Sequence, residues 1–302
     1  MKDRLKKIGY HLGSSLLFVA EFIFARVPLP VLSLFFDILF VLSCPVLLFE
    51  PTFRTIVLPN LNIAFGNSLG ACRKRRIGLR TMKRLLKMIP FCLHYAHPRN
   101  YHKMLRDVRF EGLEHIHEAL KAGRGIIMLQ AHFGNFMLMT LAFARIGLPY
   151  IVLTKEPRSA VIRDRYAKWK RLASVRWIDA DTRARATKEI MRGLGANCVV
   201  ALVADERKKY DGIPVPFFGK EALTTPGPAV LALRMGAPII PAFIIDHRSN
   251  RYTVEILPPL PITRTGDQRA DIYRLTGQIN QVIEDYIRRY PDLWAWTNKR
   301  WK

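Results

Sequence analysis

The residues of this sequence best suited to chemistry are one histidine and the small polar residues beside it. His132, Gly134 and Asn135 separate two apolar runs of the chain. An imidazole titrates near neutral pH, so it can accept the proton of a hydroxyl as that hydroxyl attacks another molecule. A histidine that only fills the end of a strand is the alternative interpretation. The neighbouring glycine and asparagine open the backbone beside the ring, and we therefore interpret His132 as a candidate general base.

This histidine lies in a predicted connection between a strand and a helix. Residues 125–130 form a short, almost wholly apolar run, which is typical of a strand covered on both faces. An apolar helical run follows over residues 136–146, with Asn135 as its N-cap and Gly147 just past its end. In an open α/β sheet, ligands bind at the carboxyl ends of the strands. The predicted elements therefore place His132 where a site is expected.

Short apolar strands alternate with amphipathic helices through the rest of the chain. The segment 55–96 is predicted to be helical and basic, and its Arg73 to Arg76 run is interpreted as a solvated helix face. The alternation predicts an α/β fold with a mixed, largely parallel central sheet flanked by helices. Predicted strands cover residues 108–112, 125–130, 150–153, 175–178, 199–204, 239–245 and 252–257, and predicted helices cover 113–122, 136–146, 183–194 and 228–235.

The first 50 residues are predicted to associate with a membrane. Four basic residues precede an apolar stretch over 12–25, and a second stretch over 31–49 contains Asp37 and Pro45. No small-x-small cleavage site of the kind that ends a signal peptide follows them. The first run is shorter than the roughly 20 apolar residues that a span requires, and the second carries a charge. We therefore predict interfacial or hydrophobically embedded helices, with a single span as the alternative.

The charge balance predicts anionic partners. The chain has 48 Lys and Arg against 24 Asp and Glu, a formal charge of +24. The segment from Lys155 to Arg192 contains twelve basic and five acidic residues. Such a surplus suits nucleic acid, anionic lipid headgroups or an acidic carrier protein. No nucleic-acid recognition motif accompanies it, so we expect no nucleic acid partner. The four scattered cysteines have neither disulfide nor metal-ligand spacing and indicate a reduced chain facing the cytoplasm.

Five ordered segments carry a resemblance to a known family. Residues 131–135 read Ala-His-Phe-Gly-Asn, residues 60–65 read Asn-Leu-Asn-Ile-Ala-Phe, and residues 204–207 read Ala-Asp-Glu-Arg. A Pro-Phe-Phe-Gly block within residues 215–229 and a tryptophan-rich ending at 291–301 follow. By their order and spacing along the chain, the segments resemble the bacterial lipid A biosynthesis acyltransferases of the lauroyl and myristoyl type, within the glycerolipid acyltransferase superfamily. The resemblance implies that residues 51–302 are an acyltransferase domain, and residues 1–50 precede it as the membrane-associating segment predicted above from their composition.

The resemblance implies a reaction as well as a fold. It implies transfer of a fatty acyl chain from a thioester, on acyl carrier protein or coenzyme A, to a hydroxyl of a lipid A precursor or a related anionic glycolipid or phospholipid. The thioester is a co-substrate, and neither a separate cofactor nor a metal is expected. The expected location is the cytoplasmic face of a bacterial inner membrane, where the acceptor lipid and an anionic surface are the partners.

The family motif places an acid five residues after the histidine, whereas this chain has Met137 there. A thioether can neither hold an imidazole in one tautomer nor stabilise its cation. Three explanations stay open. Asp205 or Glu206, at the end of a neighbouring predicted strand, replaces the acid; the protein binds lipid without turnover; or Met137 is an engineered or accidental substitution.

The resemblance also implies a set of substrate-binding residues. Two aromatic groups in the resembling blocks have alternative interpretations. Phe217 and Phe218 are predicted to wall an acyl or headgroup pocket, or else to be ordinary core. The three tryptophans near the C-terminus suit a membrane interface, or else a packed tail. The implied substrate-binding residues are Gly134, Asn135, Arg171, Arg207, Phe217, Phe218 and Gly219.

Overall fold

Helices surround a central sheet in the structure, a computed structural model that describes residues 19–154, 163, 167, 175–179 and 183–301. Residues 19–26 are helical, and a π-helical turn spans Phe53–Val57. The helices are α1 Leu29–Phe49, α2 Leu58–Phe65, α3 Ala71–Ala96, α4 Tyr101–Asp107, α5 Leu113–Lys121, α6 Phe136–Arg145, α7 Arg183–Gly195, α8 Gly227–Met235 and α9 Gln268–Arg289. The strands are β1 Val108–Glu111, β2 Ile126–Gln130, β3 Tyr150–Thr154, β4 Arg176–Asp179, β5 Val199–Val203, β6 Ile213–Phe217, β7 Lys220–Thr224, β8 Ile239–Asp246 and β9 Tyr252–Ile256.

Seven strands form the central sheet in the order β1-β9-β8-β2-β5-β3-β4. Every neighbouring pair is parallel except β8 with β9, which run antiparallel. Strands β6 and β7 form a separate antiparallel hairpin. The mixed, largely parallel sheet flanked by helices is therefore confirmed.

The central strand β2 is covered on both faces, as its sequence predicts. All five of its side chains are buried. Ile127 and Leu129 pack into the core on one face of the sheet, and Ile126 and Met128 pack into the core on the other. Side chains alternate across a strand, so a run in which every residue is apolar suits a strand between two layers of helices. Burial thus fixes β2 at the centre of the fold.

The register between β2 and β5 brings two chain segments to one edge of the sheet. Gln130 and Val203, the last residues of these parallel strands, are direct partners. The N–H of Ala204 donates to the carbonyl of Gln130 (3.1 Å), which extends the ladder by one residue. The residues that follow the two strands therefore emerge side by side.

Helix α1 has one face on the protein and one face exposed. Leu29, Leu32 and Phe36 are buried in the same core as the β2 side chains Ile126 and Met128. Among the described residues it is the one helix long and apolar enough to cross a membrane by length and composition. A core helix can pass that test while mostly buried, whereas 17 % of this helix's apolar window is buried. Its exposed apolar residues include Val31, Leu34, Phe35, Ile38, Val41, Leu42, Val46 and Phe49.

The C-terminal tail is packed into the fold, so the membrane-interface interpretation of its tryptophans is wrong. Trp294 and Trp296 have no exposed surface, and Trp301 is 4 % exposed. Their rings pack against one another and against Phe217. Arg300 is fully buried and holds the end of the tail through donated hydrogen bonds. Its acceptors are the carbonyl of Leu223 (3.1 Å), Thr224 Oγ1 (2.7 Å) and Asn280 Oδ1 (3.0 Å).

Candidate active site

His132 and Asp205 form a hydrogen-bonded pair at the carboxyl edge of the sheet. His132 Nδ1 lies 2.9 Å from Asp205 Oδ1, and the backbone N–H of His132 donates to Oδ2 of the same carboxylate (3.0 Å). The Trp294 indole N–H also donates to Oδ2 (2.7 Å). Asp205 is completely buried, whereas 22 % of the His132 side chain is exposed. The carboxylate is thus inside the protein, and the imidazole is the member of the pair that other molecules can reach.

The pair has opposite pKa shifts. Burial by itself lowers the pKa of His132, but the charge and hydrogen bond of Asp205 outweigh it and leave the pKa raised. Burial raises the pKa of Asp205, yet His132, Trp294 and the His132 backbone N–H bring it below its usual range. The histidine contribution to stability is therefore lost as pH rises through its raised pKa, and the aspartate contribution as pH falls through its lowered pKa.

The hydrogen bonds of Asp205 determine the tautomer of His132. An ionised carboxylate can only accept hydrogen bonds, so Nδ1 carries the proton that lies between the two side chains. In the neutral ring, Nε2 then has a free lone pair. An imidazole in this state can remove a proton from a hydroxyl, and the buried carboxylate stabilises the cation that results.

The loop after His132 is held by backbone contacts that need glycine. Gly134 has φ +54°, and a Cβ there would lie 2.1 Å from the carbonyl oxygen of Ile244. Its N–H donates to the carbonyl of Leu293 (2.8 Å), and the carbonyl of His132 accepts from Ala295 (2.9 Å). The C-terminal tail therefore fixes the loop from one side, and β8 approaches it so closely that only glycine fits.

Asn135 acts as the helix cap that the sequence predicts. Its Oδ1 accepts from the N–H of Leu138 (3.1 Å) and from the thiol of Cys92 (3.2 Å). Its own N–H donates to Asp246 Oδ1 (3.2 Å). The side chain is buried, and its carbonyl oxygen is occupied by these contacts. The Asn135 amide thus caps the start of α6. Gly134 lines a narrow crevice beside His132, which Arg84, Met88 and Trp294 also line.

The remaining predicted site residues differ in how near they come to His132. Glu206 is largely exposed, and its Oε1 lies 3.6 Å from His132 Nε2. Arg207 follows in the same loop and is half-buried. Arg171 lies outside the described residues. Met137 is the second residue of α6 and packs, partly buried, against the core that contains α1. The structure therefore brings Asp205 and Glu206, rather than residue 137, to the imidazole.

Phe217 and Phe218 lie in the core and Gly219 is exposed in the turn after them, and their substrate-binding role stays a prediction. Phe217 is completely buried, and Phe218 is 7 % exposed. Phe218 and Gly219 form the two-residue turn between β6 and β7, with φ values of +53° and +71°. Both residues of a type I′ hairpin turn take such values. The turn aims Phe218 into the aromatic cluster, where it packs on Phe217, Phe65 and Trp301.

Two contacts at the site were not predicted from the sequence. One is the Trp294 hydrogen bond to Asp205. The other is Arg84 of α3, which pairs with Asp246 Oδ2 (2.7 Å) and with Asp292 Oδ2 (3.2 Å). Arg84 therefore joins β8 to the C-terminal tail, the two segments that hold the His132 loop. Asp246 is the last residue of β8, and Asp205 lies two residues after the end of β5. A carboxylate at the end of a strand was therefore the feature of the sequence that could have indicated Asp246 as part of the site. Burial raises the pKa of Asp246 despite the nearby Arg84.

The fold and the pair together define an α/β protein with the geometry of a general-base site. Across the described part of the chain, no three His, Cys, Asp or Glu side chains are grouped so as to hold a metal ion. The acid–base groups available to a substrate here are the imidazole of His132 and the exposed carboxylate of Glu206.

Comparison with known proteins identifies the family. The family model described as bacterial lipid A biosynthesis acyltransferase matches residues 2–302, and the chain belongs to that family. A phosphatidylinositol mannoside acyltransferase of Mycobacterium tuberculosis (strain ATCC 25618 / H37Rv) is 22 % identical over 205 residues, which are 67 % of this chain and 63 % of the relative. The protein of the same name from Mycolicibacterium smegmatis is 23 % identical over 190 residues, 63 % of this chain and 60 % of the relative. The match thus spans less than two thirds of the length of these relatives.

Proposed function

We propose that this protein transfers a fatty acyl chain from an acyl thioester to a hydroxyl of an anionic glycolipid at a membrane. The observation that carries the proposal is the 2.9 Å contact between His132 Nδ1 and the buried Asp205. It leaves Nε2 of the neutral ring free as a base on the accessible side of the pair. Family membership supports acyl transfer as the reaction in which this base is used.

In the proposed mechanism, Nε2 of His132 removes the proton of the acceptor hydroxyl as its oxygen attacks the thioester carbonyl. The tetrahedral intermediate then collapses, the carbon–sulfur bond breaks and an ester remains on the lipid. The imidazolium returns its proton to the leaving sulfur. Asp205 accepts the Nδ1 proton in a hydrogen bond throughout and stabilises the transient cation. In this role Asp205 replaces the acid that the family motif has at the position of Met137.

The acceptor is proposed as an anionic glycolipid rather than as lipid A alone. The family description refers to lipid A biosynthesis, whereas the mycobacterial relatives are named for phosphatidylinositol mannoside. Both are glycolipids with an anionic group and sugar hydroxyls. A chain with a formal net charge of +24 attracts an anionic acceptor and also an acidic carrier protein that delivers the thioester. Acyl carrier protein and coenzyme A both stay as proposed donors.

We further propose that the protein works on the cytoplasmic face of a bacterial inner membrane. The exposed apolar face of α1 supports attachment to a bilayer, with the helix lying at the interface because its other face is part of the protein core. The N-terminal basic residues would lie on the anionic cytoplasmic leaflet.

A lipid-binding relative without turnover is the second candidate, and the replacement of the motif acid by Met137 is the observation that favours it. One assay separates the two. Purified full-length protein is incubated with each donor and with either a lipid A precursor or phosphatidylinositol mannoside, and mass spectrometry follows the gain of one acyl group. Transfer that disappears in His132→Gln but not in His117→Gln, an exposed control, supports the enzyme. Lipid binding without any acylated product contradicts it.

A further inference from the structure

A second site adjoins the loop of His132, on the side of helix α1. It is a cleft of about 530 Å³ between α1, α3 and the loop that joins β8 to β9. Four cationic side chains of α3 and one of the loop line it: Arg80, Lys83, Arg84, Lys87 and Arg248. We call this feature the cationic cleft.

The charges of the cationic cleft are only partly neutralised. Asp37 pairs with Lys83 (2.7 Å) and Lys87 (2.5 Å). Asp246 and Asp292 both pair with Arg84. Five cationic and three acidic side chains therefore leave an excess of two positive charges. The remaining cations, Arg80 and Arg248, are exposed and pair with no carboxylate among the described residues. Their guanidinium groups have donors free for an oxyanion, and guanidinium binds phosphate with two parallel hydrogen bonds.

The cationic cleft is continuous with the crevice beside His132. Arg84, Met88 and Gly134 line both the cleft and the crevice. Gly134 is two residues from the proposed base, in the same loop. A molecule whose anionic group lies in the cleft can therefore extend a hydroxyl toward the imidazole without leaving the protein surface.

Helix α1 connects the cationic cleft to the apolar surface. Its residues Ser33 and Asp37 line the cleft, and Lys87 donates to Ser33 Oγ (2.9 Å). Leu34 and Ile38, one residue further along the helix in each case, are exposed apolar side chains. A lipid whose tails lie along the exposed face of α1 therefore has its headgroup at the mouth of the cleft. This arrangement favours a membrane lipid over a soluble molecule as the source of the anion.

We propose that the cationic cleft binds the phosphate of a membrane lipid headgroup, with Arg80 and Arg248 as its ligands and with Lys83 and Lys87 as supporting charges. The inference deepens the proposed function, because the phosphate held there is that of the acceptor lipid whose hydroxyl reaches His132. The site discriminates among acceptors by requiring a phosphate group at a fixed position relative to the hydroxyl that is acylated.

Binding to vesicles tests this proposal without turnover. The protein carries His132→Gln throughout, so no acyl transfer takes place. The double variant Arg80→Gln/Arg248→Gln is compared with Lys220→Gln/Arg269→Gln, which removes two exposed charges that do not line the cleft. Vesicles are phosphatidylcholine with phosphatidic acid, or phosphatidylcholine with the same charge supplied by oleic acid. Binding to carboxylate vesicles measures general attraction of a basic protein to an anionic surface.

We expect the cleft variant to lose about tenfold in affinity for phosphatidic acid vesicles for each guanidinium removed, because each loses a charge-assisted hydrogen bond. Its affinity for oleic acid vesicles should fall no more than that of the control variant. Equal losses in the two double variants, or equal losses on the two kinds of vesicle, would overturn the proposal, since surface charge alone would then explain binding.

A third arm separates the lipid from the soluble donor. Coenzyme A, which carries phosphates in solution, is titrated calorimetrically into the same proteins. A cleft variant that binds coenzyme A more weakly but phosphatidic acid vesicles normally would show that the phosphate belongs to the donor, and the lipid assignment would be wrong. If the vesicle result is as expected but the protein with His132 intact transfers no acyl group, the phosphate site stands and the proposed function is wrong.

Discussion

Replacement of Asp205 by asparagine separates the roles of the buried carboxylate in folding and in catalysis. Three hydrogen bonds end on Asp205, two from His132 and one from Trp294. Asparagine has nearly the same shape, but it supplies only one acceptor oxygen. Its amide nitrogen is a donor, so at the Oδ2 position it would meet two N–H groups and lose their hydrogen bonds. At the Oδ1 position it can donate to His132 Nδ1 only if that nitrogen accepts, which moves the ring proton to Nε2.

The expected loss of stability is moderate and the expected loss of rate is large. A hydrogen bond to a charged group contributes about 1.5–3 kcal/mol, and the neutral amide avoids part of the cost of burying a charge. We therefore expect the free energy of unfolding to fall by about 1–3 kcal/mol. Without the carboxylate, the His132 tautomer with a free Nε2 is no longer fixed. The corresponding change in serine proteases lowers kcat by about 10⁴, roughly 5 kcal/mol.

Rates of Asp205→Asn are measured as acyl transfer under single-turnover conditions, at a temperature at which circular dichroism shows the variant to be folded. The matched control is Glu206→Gln, because Glu206 also lies near the imidazole but is largely exposed. We expect Glu206→Gln to lose less than about tenfold, since exposed charges contribute little. A folded Asp205→Asn variant that retains more than a tenth of the rate, or a Glu206→Gln variant that loses as much, would refute the reasoning.

Three further predictions follow from the structure. The transfer rate should rise with pH through a midpoint above about 6.5, because Asp205 raises the pKa of His132 and only the neutral ring is a base. A midpoint at higher pH in Asp205→Asn than in the parent would contradict this. Met137→Glu should lower the free energy of unfolding by about 1–3 kcal/mol without faster transfer, because residue 137 packs on the core; a stable, faster variant would show that it faces the site. Leu42→Gln/Val46→Gln should weaken sedimentation with vesicles while leaving thermal stability unchanged, because both side chains are over 70 % exposed; unchanged sedimentation would remove α1 from the membrane contact.

The elements that position the site could be predicted from local sequence. The apolar run of β2, the helix cap Asn135 and Gly147 just past the end of α6 each have a local physical cause. The structure has all three where the sequence indicates. A position of Asp205 or Glu206 near His132 was one of three explanations left open by the sequence, since the carboxyl ends of neighbouring parallel strands share an edge. Adjacency of β2 and β5 itself could not be deduced, because it depends on packing over 70 residues of chain.

Contacts between distant segments could not be predicted. The hydrogen bond from Trp294 to Asp205 joins residues 89 apart, and Arg84 pairs with residues 162 and 208 positions away. The packing of Phe218 could not be predicted, because apolar side chains suit a pocket and a core equally and only the hairpin turn decides the direction of the ring. The tail tryptophans show the same limit, because an aromatic ring among cations can lie at a membrane or under a neighbouring helix.

The central claim is that His132 is the base and that its activity depends on the fold around it. Single-turnover acyl transfer by His132→Gln, with the melting temperature and vesicle binding measured on the same preparation, tests this most directly. We predict a loss of about 10²–10⁴-fold in rate, as for removal of a general base, with folding and vesicle binding retained. The exposed control His117→Gln should transfer at the parental rate. A folded His132→Gln protein that transfers acyl groups within tenfold of the parent would contradict the account.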